Sequence, residues 1–436
     1  MSTTTVDLKR NTPLERVFSL FATVHAEETV TVLLLMVNVF FLLTAYYIIK
    51  PVREALILGG PGAEMKSYAG ALQALLLLFI IPLYSAFASR TNRIRLINGV
   101  IGFFISNLVI FYLLGRMNVQ LGVPFFLWTG LFNVMLTAQF WAFSNDLYTE
   151  HQGKRLFAIV GIGSSVGAIA GADIAGRLFK PIGPYSMMLV SAAILAVCMV
   201  LTNWIHIREG ETQHRSEAQK PTGTSGGFRL IIQHKYLLLI AVLVLLENLV
   251  NTNGEFILGK TIAQQAKGAA NASAFIGEFY AGFYFWVNLA GAALQIFLVS
   301  RIMKYIGIGP ALFILPGIAL GSYTLLAFAP ILSIIRMAKI AENSTDYSLQ
   351  NTARHSLFLN TSRDAKYKAQ SAVESFFWRA GDGISALLVF IGTRLRLGIS
   401  RFAVVNIFFV ALWIGAALAI VQLRKRHEAG KVQVLA

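Results

Sequence analysis

The chain has 436 residues, of which 56% are hydrophobic and only 13% charged, and a formal net charge of +16 at pH 7. A soluble domain carries about 25% charged residues, so this composition excludes a soluble globular enzyme, a disordered chain and a nucleic-acid binder in spite of the basic balance. A single cysteine, Cys198, excludes a disulfide framework and any cysteine-rich metal or iron–sulfur site.

A bilayer crossing needs about 20 mostly apolar residues. Taken in chain order, windows of that kind are predicted at Thr29–Ile49, Ser67–Ala88, Leu96–Leu114 and Val123–Phe143, and then from Leu156, Tyr185, Tyr236, Ile276 and Ala311. The last three are Ile331–Leu349, Ala372–Ile391 and Phe402–Leu423. The window from Ile331 is the least apolar, because it carries Arg336, Lys339, Glu342 and Asp346. Ahead of the first span, Leu14–Val24 is mildly amphipathic and suited to lie at the interface. No signal peptide is expected, since the first span is too long for an h-region and no A-x-A site follows it.

Lys and Arg concentrate in the connections on one side of this layout. The inside set includes Arg90, Arg93, Arg95, Lys154, Arg155, Arg354, Arg363, Lys366, Lys368 and Arg424-Lys425-Arg426. The positive-inside rule then places both termini in the cytoplasm, and most of the excess charge is a topology signal. Ile207–Lys235 is the longest polar stretch and reads as a flexible linker. The expected organisation is a cytoplasmic segment at 1–28, a six-helix bundle at 29–206, the linker at 207–235, a second six-helix bundle at 236–423 and a cytoplasmic tail at 424–436. Ser144-Asn145-Asp146 and Ser344-Thr345-Asp346 lie at matching places in the two halves. The fold class is therefore an all-α membrane protein of twelve transmembrane helices in two halves. That is the layout of the major facilitator superfamily, whose substrate site lies at mid-membrane between the halves.

Ionisable residues inside a span cost about 2.5–3.5 kcal/mol on insertion scales, so they mark sites or buried networks. Lys50 and Arg53, three apart beside Pro51, share one face of the first span. They can clamp an anion, or snorkel to the outer headgroups with Arg53 paired to Glu54 or Glu64. In the tenth span Arg336, Lys339, Asn343 and Asp346 fall on one face, with Glu342 at its border. Such a stripe lines a cavity or forms a self-neutralising network. Glu374, Arg379 and Asp382 lie in the eleventh span, where Arg379 and Asp382 can neutralise each other. Glu247, Asn248, Asn251 and Asn253 lie in the seventh. Glu247 has no cation near it in its own span, which makes it either a partner for Arg53 or Lys339 across the two halves or a buried protonated acid.

Gly161–Gly167 imitates a nucleotide-binding loop, but it has no preceding strand and no following Lys-Ser/Thr. Gly163, Gly167 and Gly171, four apart, instead allow close helix packing. No metal-ligand spacing and no nucleophile–base pair is legible, so neither a cofactor nor a metal nor an enzyme activity is expected. The Asn-x-Ser/Thr sites at Asn271 and Asn360 act as glycosylation acceptors only in a secretory lumen.

YYIIKPVREALIL (Tyr46–Leu58) resembles the first-span signature of the ATP:ADP antiporter family, the nucleotide translocases of plastids and intracellular bacteria. Phe140-Trp141-Ala142-Phe143-Ser144-Asn145 is similar to the FWGFAN-type segment closing that family's fourth span, and Ile162-Gly163 to its glycine-rich fifth span. Tyr347-Ser348-Leu349 and Ser362–Lys368 resemble the YSL…K-x-K segment. The resemblance implies a facilitator-type fold and exchange of adenine nucleotides or related phosphorylated anions. It puts the family's phosphate-binding first-span lysine at Arg53, with Lys50 on the preceding basic position, and its seventh-span acid at Glu247. Its basic residue after the tenth span falls within Lys366–Gln370, closest to Gln370. The fourth-span glutamate has no counterpart, and Thr129 and Asn133 occupy that region.

The expected protein is a monomeric transporter of the inner membrane. It moves a small anionic solute, a nucleotide, by alternating access, with the lipid bilayer as its surroundings. Lys50, Arg53, Arg336, Lys339 and Asn343 are the expected binding residues. Glu54, Glu247, Asp346, Glu374 and Arg379 are the expected gating or coupling residues. Tyr46, Tyr47 and Trp141 are available to stack on a base. The alternative reading is a proton-coupled facilitator for a drug, siderophore or lipid-like metabolite, with Glu247 or Glu374 carrying the proton.

Overall fold

The computed structural model describes residues 28–88, 91–210, 225–359, 361–362 and 365–428; the expected interfacial stretch Leu14–Val24 and Asn360 lie outside the described residues. The described chain is helical throughout its ordered elements. Four helices come first: α1 (Thr29–Gly59), α2 (Ala63–Ala88), α3 (Arg93–Arg116) and α4 (Gly122–Leu147). A long helix, Glu150–Glu209, follows and breaks at Gly183 (φ 75°) between Pro181 and Pro184, giving α5 (150–182) and α6 (184–209). Gly at positive φ and two prolines without N–H groups end one crossing and start the next with no intervening loop.

A short helix, Ser225–Gln233, precedes α7 (Lys235–Ala266). The second half continues with α8 (Ala272–Tyr305), α9 (Ile308–Phe328), α10 (332–356), α11 (365–394) and α12 (Ile399–Glu428). Nine helices among the described residues are long and apolar enough to cross a membrane, one of them being the stretch that Gly183 divides. α10 and α11 reach that length too but carry the charges noted in the sequence. The described residues thus form twelve rods. Several bounds differ from the hydropathy windows. The second span starts at Ala63 rather than Ser67, the tenth runs past Leu349 to residue 356, and the eleventh begins at 365 rather than 372. The linker shrinks as well, for helix continues to Glu209 and resumes at Ser225. Each shift has one cause: hydropathy marks where lipid is tolerated, whereas polar turns facing protein or water stay helical beyond it.

Within each half the rods are joined by small residues and buried polar pairs, as expected where lipid removes the hydrophobic drive between helices. Gly163, Gly167 and Gly171 of α5 face the backbones of Met36, Phe40 and Thr44 of α1, so closely that a Cβ at any of them would overlap a carbonyl oxygen. The Thr44 hydroxyl lies 3.2 Å from the Gly167 carbonyl. Asn38 of α1 donates to Thr202 of α6 at 2.8 Å. In the second half Ser385 of α11 donates to Asn253 of α7 at 2.7 Å, and Asn253 donates to Asn406 of α12 at 3.0 Å.

The two halves meet chiefly at one end of the molecule, the end that carries the α1–α2 loop. There Lys260 of α7 pairs with Glu64 of α2 at 3.0 Å, and Phe179 of α5 fills the space over Gly277 of α8. The Tyr68 ring of α2 stands edge-on to Phe390 of α11. At the opposite end, the ion pairs Arg93–Asp146 and Arg155–Glu28 stay inside the first half.

Candidate functional site

A cavity of about 280 Å³ opens between the halves, walled by α1, α2 and α4 on one side and α7, α8, α10 and α11 on the other. Four basic residues line it, Lys50, Arg53, Lys66 and Arg379, against two acidic ones, Glu255 and Asp382. Both residues of the predicted first-span pair therefore face a shared void instead of the headgroups.

Glu54 is the anchor of the first-half wall. It is fully buried. It pairs with Arg53 beside it and with Lys66 Nζ at 2.7 Å, and it accepts from the Tyr284 hydroxyl of α8 at 3.2 Å. Of the two sequence options for Arg53, Glu54 is thus the partner, and Glu64 serves Lys260 instead. The Arg53 guanidinium also lies 4.9 Å from the Phe126 ring centre. Helix α1 runs on through Pro51 to Gly59, which carries this charged turn inside the bundle.

Lys50 is different. It is 8% exposed and, among the described residues, pairs with no carboxylate. Its ammonium instead sits among three tyrosine rings, 4.0 Å from the centre of Tyr284, 4.9 Å from Tyr47 and 5.7 Å from Tyr46. Cation–π contact of this kind is worth ~0.5–2 kcal/mol, the more when desolvated. It holds the charge in place without neutralising it, which leaves the ammonium's hydrogen-bonding capacity for a ligand. Two of the rings are those proposed from sequence to stack on a base; Trp141 is not among the cavity residues and packs on Phe157.

On the second-half wall, Glu255 joins the two bundles. Its carboxylate is 3.9 Å from Lys66 of the first half and 3.8 Å from Lys339 of the second, and it accepts from Asn343 at 3.0 Å. Lys339 itself is 1% exposed and lies one layer behind the wall. It donates to Asn251 Oδ1 at 2.7 Å and to Glu342 at 3.0 Å. Gly254 makes this possible, for a Cβ there would overlap the Tyr323 hydroxyl and press on the Lys339 ammonium. Lys339 thus reaches the cavity through Asn251 and Glu255, both of which line it.

The remaining expected residues divide into those near the cavity and those apart from it. Asn343 and Arg379 line it, and Arg379 meets Asp382 at 3.6 Å as the three-residue spacing suggested. Asp382 is further held by Asn248 at 2.8 Å and Thr252 at 3.0 Å. Arg336 stands apart, half-buried over the Phe279 ring at 5.2 Å. One helical turn separates it from Lys339, enough to carry it past the edge of the shared void. Glu247 meets neither Arg53 nor Lys339. It pairs within its own half, with Arg354 at 2.6 Å and Gln350 at 3.0 Å, because α10 extends past residue 349 and brings Arg354 alongside α7. Asp346 is buried and is not among the cavity residues; it lines a separate small void with Glu247 and Glu342. Glu374 is 37% exposed and bonded to His355 at 3.1 Å and Gln370 at 2.7 Å. Thr129 is buried and donates to the Phe125 carbonyl of its own helix.

Sequence reading missed Lys66, Glu255 and Tyr284. Lys66 falls one residue before the second hydropathy window, and Glu255 lies eight residues beyond the more conspicuous Glu247. The tyrosine offered no signal, since aromatic residues are common throughout the chain.

Comparison with known proteins agrees with this geometry. The family model described as Major Facilitator Superfamily matches residues 29–341. "ADP,ATP carrier protein 1" of Chlamydia pneumoniae is 22% identical over 350 residues, which cover 70% of this chain and 67% of that protein. The chain therefore spans about two thirds of the length of that relative. The chloroplastic ADP,ATP carrier protein 1 of Arabidopsis thaliana is 23% identical over 278 residues, covering 56% of this chain and 43% of its own. Among solved structures, a mutant form of the nucleoside transporter NupG superposes with a TM-score of 0.68 at 11% identity, over 89% of this chain and 99% of that one. A match by the family model over most of the chain, a fold shared with solved transporters and a charged void between two helical bundles lead to one conclusion: the chain belongs to the Major Facilitator Superfamily and is an integral membrane transporter.

Proposed function

We propose that this transporter moves nucleotides, or closely related phosphorylated anions, across the inner membrane by alternating access, as a monomer with both termini in the cytoplasm. The observation that carries the reading is Lys50, a cation held in the inter-half cavity by tyrosine rings and left without a carboxylate partner among the described residues. In a medium of low dielectric an uncompensated ammonium favours an anion strongly, and phosphate oxygens satisfy its three donors. Arg53 stands one helical turn away and offers the planar fork that suits phosphate. Its carboxylate partner Glu54 keeps the pair compact when no solute is bound. Tyr46 and Tyr284 line the same cavity and present faces on which a base can stack. The relatives named ADP,ATP carriers support the nucleotide class, and the sequence resemblance aligned the same first-span cations.

The places where the halves touch support alternating access. Lys66–Glu255, Tyr284–Glu54 and Glu64–Lys260 join the bundles at the α1–α2 end, so that end is shut. The positive-inside count puts it outside the cell. Reconstituted in liposomes, the protein is expected to take up labelled ADP in exchange for internal ADP, and Lys50→Ala is expected to abolish that uptake while the purified variant remains monodisperse. Wild-type uptake in Lys50→Ala removes the clamp, and absence of ADP, AMP and phosphate uptake in the wild type removes the substrate class.

A further inference from the structure

Phosphate oxygens satisfy the cations of the central cavity, but they cannot satisfy everything on its wall. Among the described residues that line it, two side chains hold a buried polar atom with no hydrogen-bond partner, and both atoms are amide oxygens. One is Gln73 Oε1 of α2, in the first half. The other is Asn343 Oδ1 of α10, in the second. A buried acceptor left unpaired is costly and calls for an explanation.

The local geometry holds both oxygens where they are. Asn343 is 4% exposed, and its Nδ2 donates to the Glu255 carboxylate at 3.0 Å. A carboxylate only accepts, so the amide cannot turn round and its oxygen is the free atom. Gln73 lies against α4 at Gly130, where a Cβ would overlap the whole amide. Its depth follows from helix geometry. Lys66, Gly70 and Gln73 line the cavity along one face of α2. Glu54 meets both Arg53 and Lys66, which sets the two helices level at that point. Counted from there at 1.5 Å per residue, away from the α1–α2 loop, Lys50 lies about 6 Å on, Gln73 about 10 Å and Tyr46 about 12 Å. Gln73 and the Tyr46 ring thus share a level beyond the Lys50 ammonium, while Asn343 stays beside Glu255 near the cationic end.

We infer that Gln73 and Asn343 recognise the nucleoside part of the solute, Gln73 at the base and Asn343 at the sugar, and that the cavity thereby selects nucleoside phosphates over inorganic ones. This deepens the reading of the cavity as a nucleotide site and rests on it. Phosphate groups bring acceptor oxygens, which suit Lys50 and Arg53 but not an amide oxygen. The donors of a nucleotide are elsewhere, on the amino group of the base and on the sugar hydroxyls. A base stacked on Tyr46 puts its edge at the level of Gln73, and a carboxamide matches the paired donor and acceptor of adenine. Pyrophosphate reaches the same cations and leaves both oxygens unpaired. Because the two amides belong to opposite halves, a nucleoside that bonds to both also ties α2 to α10.

Calorimetric titration of the purified full-length protein with ADP and with pyrophosphate tests this. The wild type is expected to bind ADP more tightly. Gln73→Met and Asn343→Leu are each expected to lower the preference for ADP over pyrophosphate at least about fivefold. Reading the preference separates loss of the amide oxygen from any effect on Glu255, which both ligands feel. Gly130→Ala displaces the Gln73 amide without altering it and is expected to act in the same direction, so the result does not depend on the folding of Gln73→Met. A wild type that binds pyrophosphate as tightly as ADP overturns the inference, and so does a preference unchanged in both Gln73→Met and Asn343→Leu; either result leaves Lys50 as the phosphate clamp. A preference unchanged in one variant removes that residue. Should the wild type bind neither anion, titration with adenosine decides: binding that Gln73→Met weakens upholds the nucleoside contacts while the anion reading fails, and absence of adenosine binding removes both.

Discussion

At the scale of single residues, the cavity is a set of buried charges whose partners decide what each can do. Glu54 pairs with two cations and is fully buried. Removing one partner from a buried ion pair costs about 3–5 kcal/mol, because the survivors are left charged and desolvated. Glu54→Gln is therefore expected to lower the melting temperature in detergent markedly, with Arg53 left uncompensated and Lys66 keeping only Glu255 at 3.9 Å. A melting temperature equal to the wild type contradicts the anchor role. Lys50 has the opposite character, since no carboxylate loses a partner when it goes. Lys50→Gln is expected to leave the melting temperature near the wild type. Charge-assisted hydrogen bonds are worth roughly 1.5–3 kcal/mol, so ADP binding is expected to weaken by roughly 10- to 150-fold in calorimetric titration. Unchanged affinity sinks the assignment of Lys50 to the anion.

Of these residues, Lys50, Arg53 and Glu54 were legible in the sequence, because charge inside an apolar stretch is costly and stands out. What was not legible is who meets whom. Glu247 and Glu255 sit eight residues apart on one helix, yet one faces Arg354 in its own half and the other faces Lys66 across the interface. That difference is set by how α7 packs between α10 and α2, and no spacing within a single helix contains it. Arg336 shows the same limit from the other side: it shares the polar stripe of Lys339, but the stripe is wider than the void it adjoins.

At the scale of elements, the glycine spacing of α5 was a sound guide to packing. Gly163, Gly167 and Gly171 each bring α5 against the α1 backbone without room for a side chain. This contact fixes the position of α1, and α1 carries Lys50, Arg53 and Glu54. Gly167→Leu is expected to push α1 away and cost more than the 1–3 kcal/mol typical of overpacking, since the obstacle is main chain, which cannot rotate aside. Loss of monodisperse protein on size exclusion is the measurable outcome, and a well-folded active variant contradicts the close approach. The lengths of α10 and α11 were harder to see. Both contain wide helical turns, at Asp346–Gln350 in α10 and at Ala365–Ala369 and Val373–Phe377 in α11. Such turns are frequent at functional sites. They also shift every following residue around the helix axis, so a fixed 3.6-residue period misplaces Arg354 and Glu374.

At the scale of the whole molecule, the arrangement is asymmetric between its two ends, and that asymmetry is a statement about transport. Contacts across the halves gather at the α1–α2 end: Glu64–Lys260 at the rim, Lys66–Glu255 and Tyr284–Glu54 further in. The described state is the one shut at that end. An alternating-access protein holds such a state only by a small free-energy margin, so weakening the rim pair shifts the population toward the opposite opening. Glu64 and Lys260 are partly exposed, and exposed pairs are worth roughly 0.2–1 kcal/mol. The double variant Glu64→Gln with Lys260→Gln is therefore expected to raise the fraction open at the α1–α2 end by roughly 1.4- to 5-fold. Ser67 lines the cavity and Cys198 is buried in the first-half core, so Ser67→Cys provides one reactive thiol above a quiet background. An impermeant maleimide applied from the α1–α2 side is expected to label that thiol slowly in the otherwise wild-type protein and faster, by that factor, in the double variant. Equal or slower labelling means that the rim pair holds nothing shut and that closure rests on the apolar contacts of Phe179 with Gly277 and of Tyr68 with Phe390.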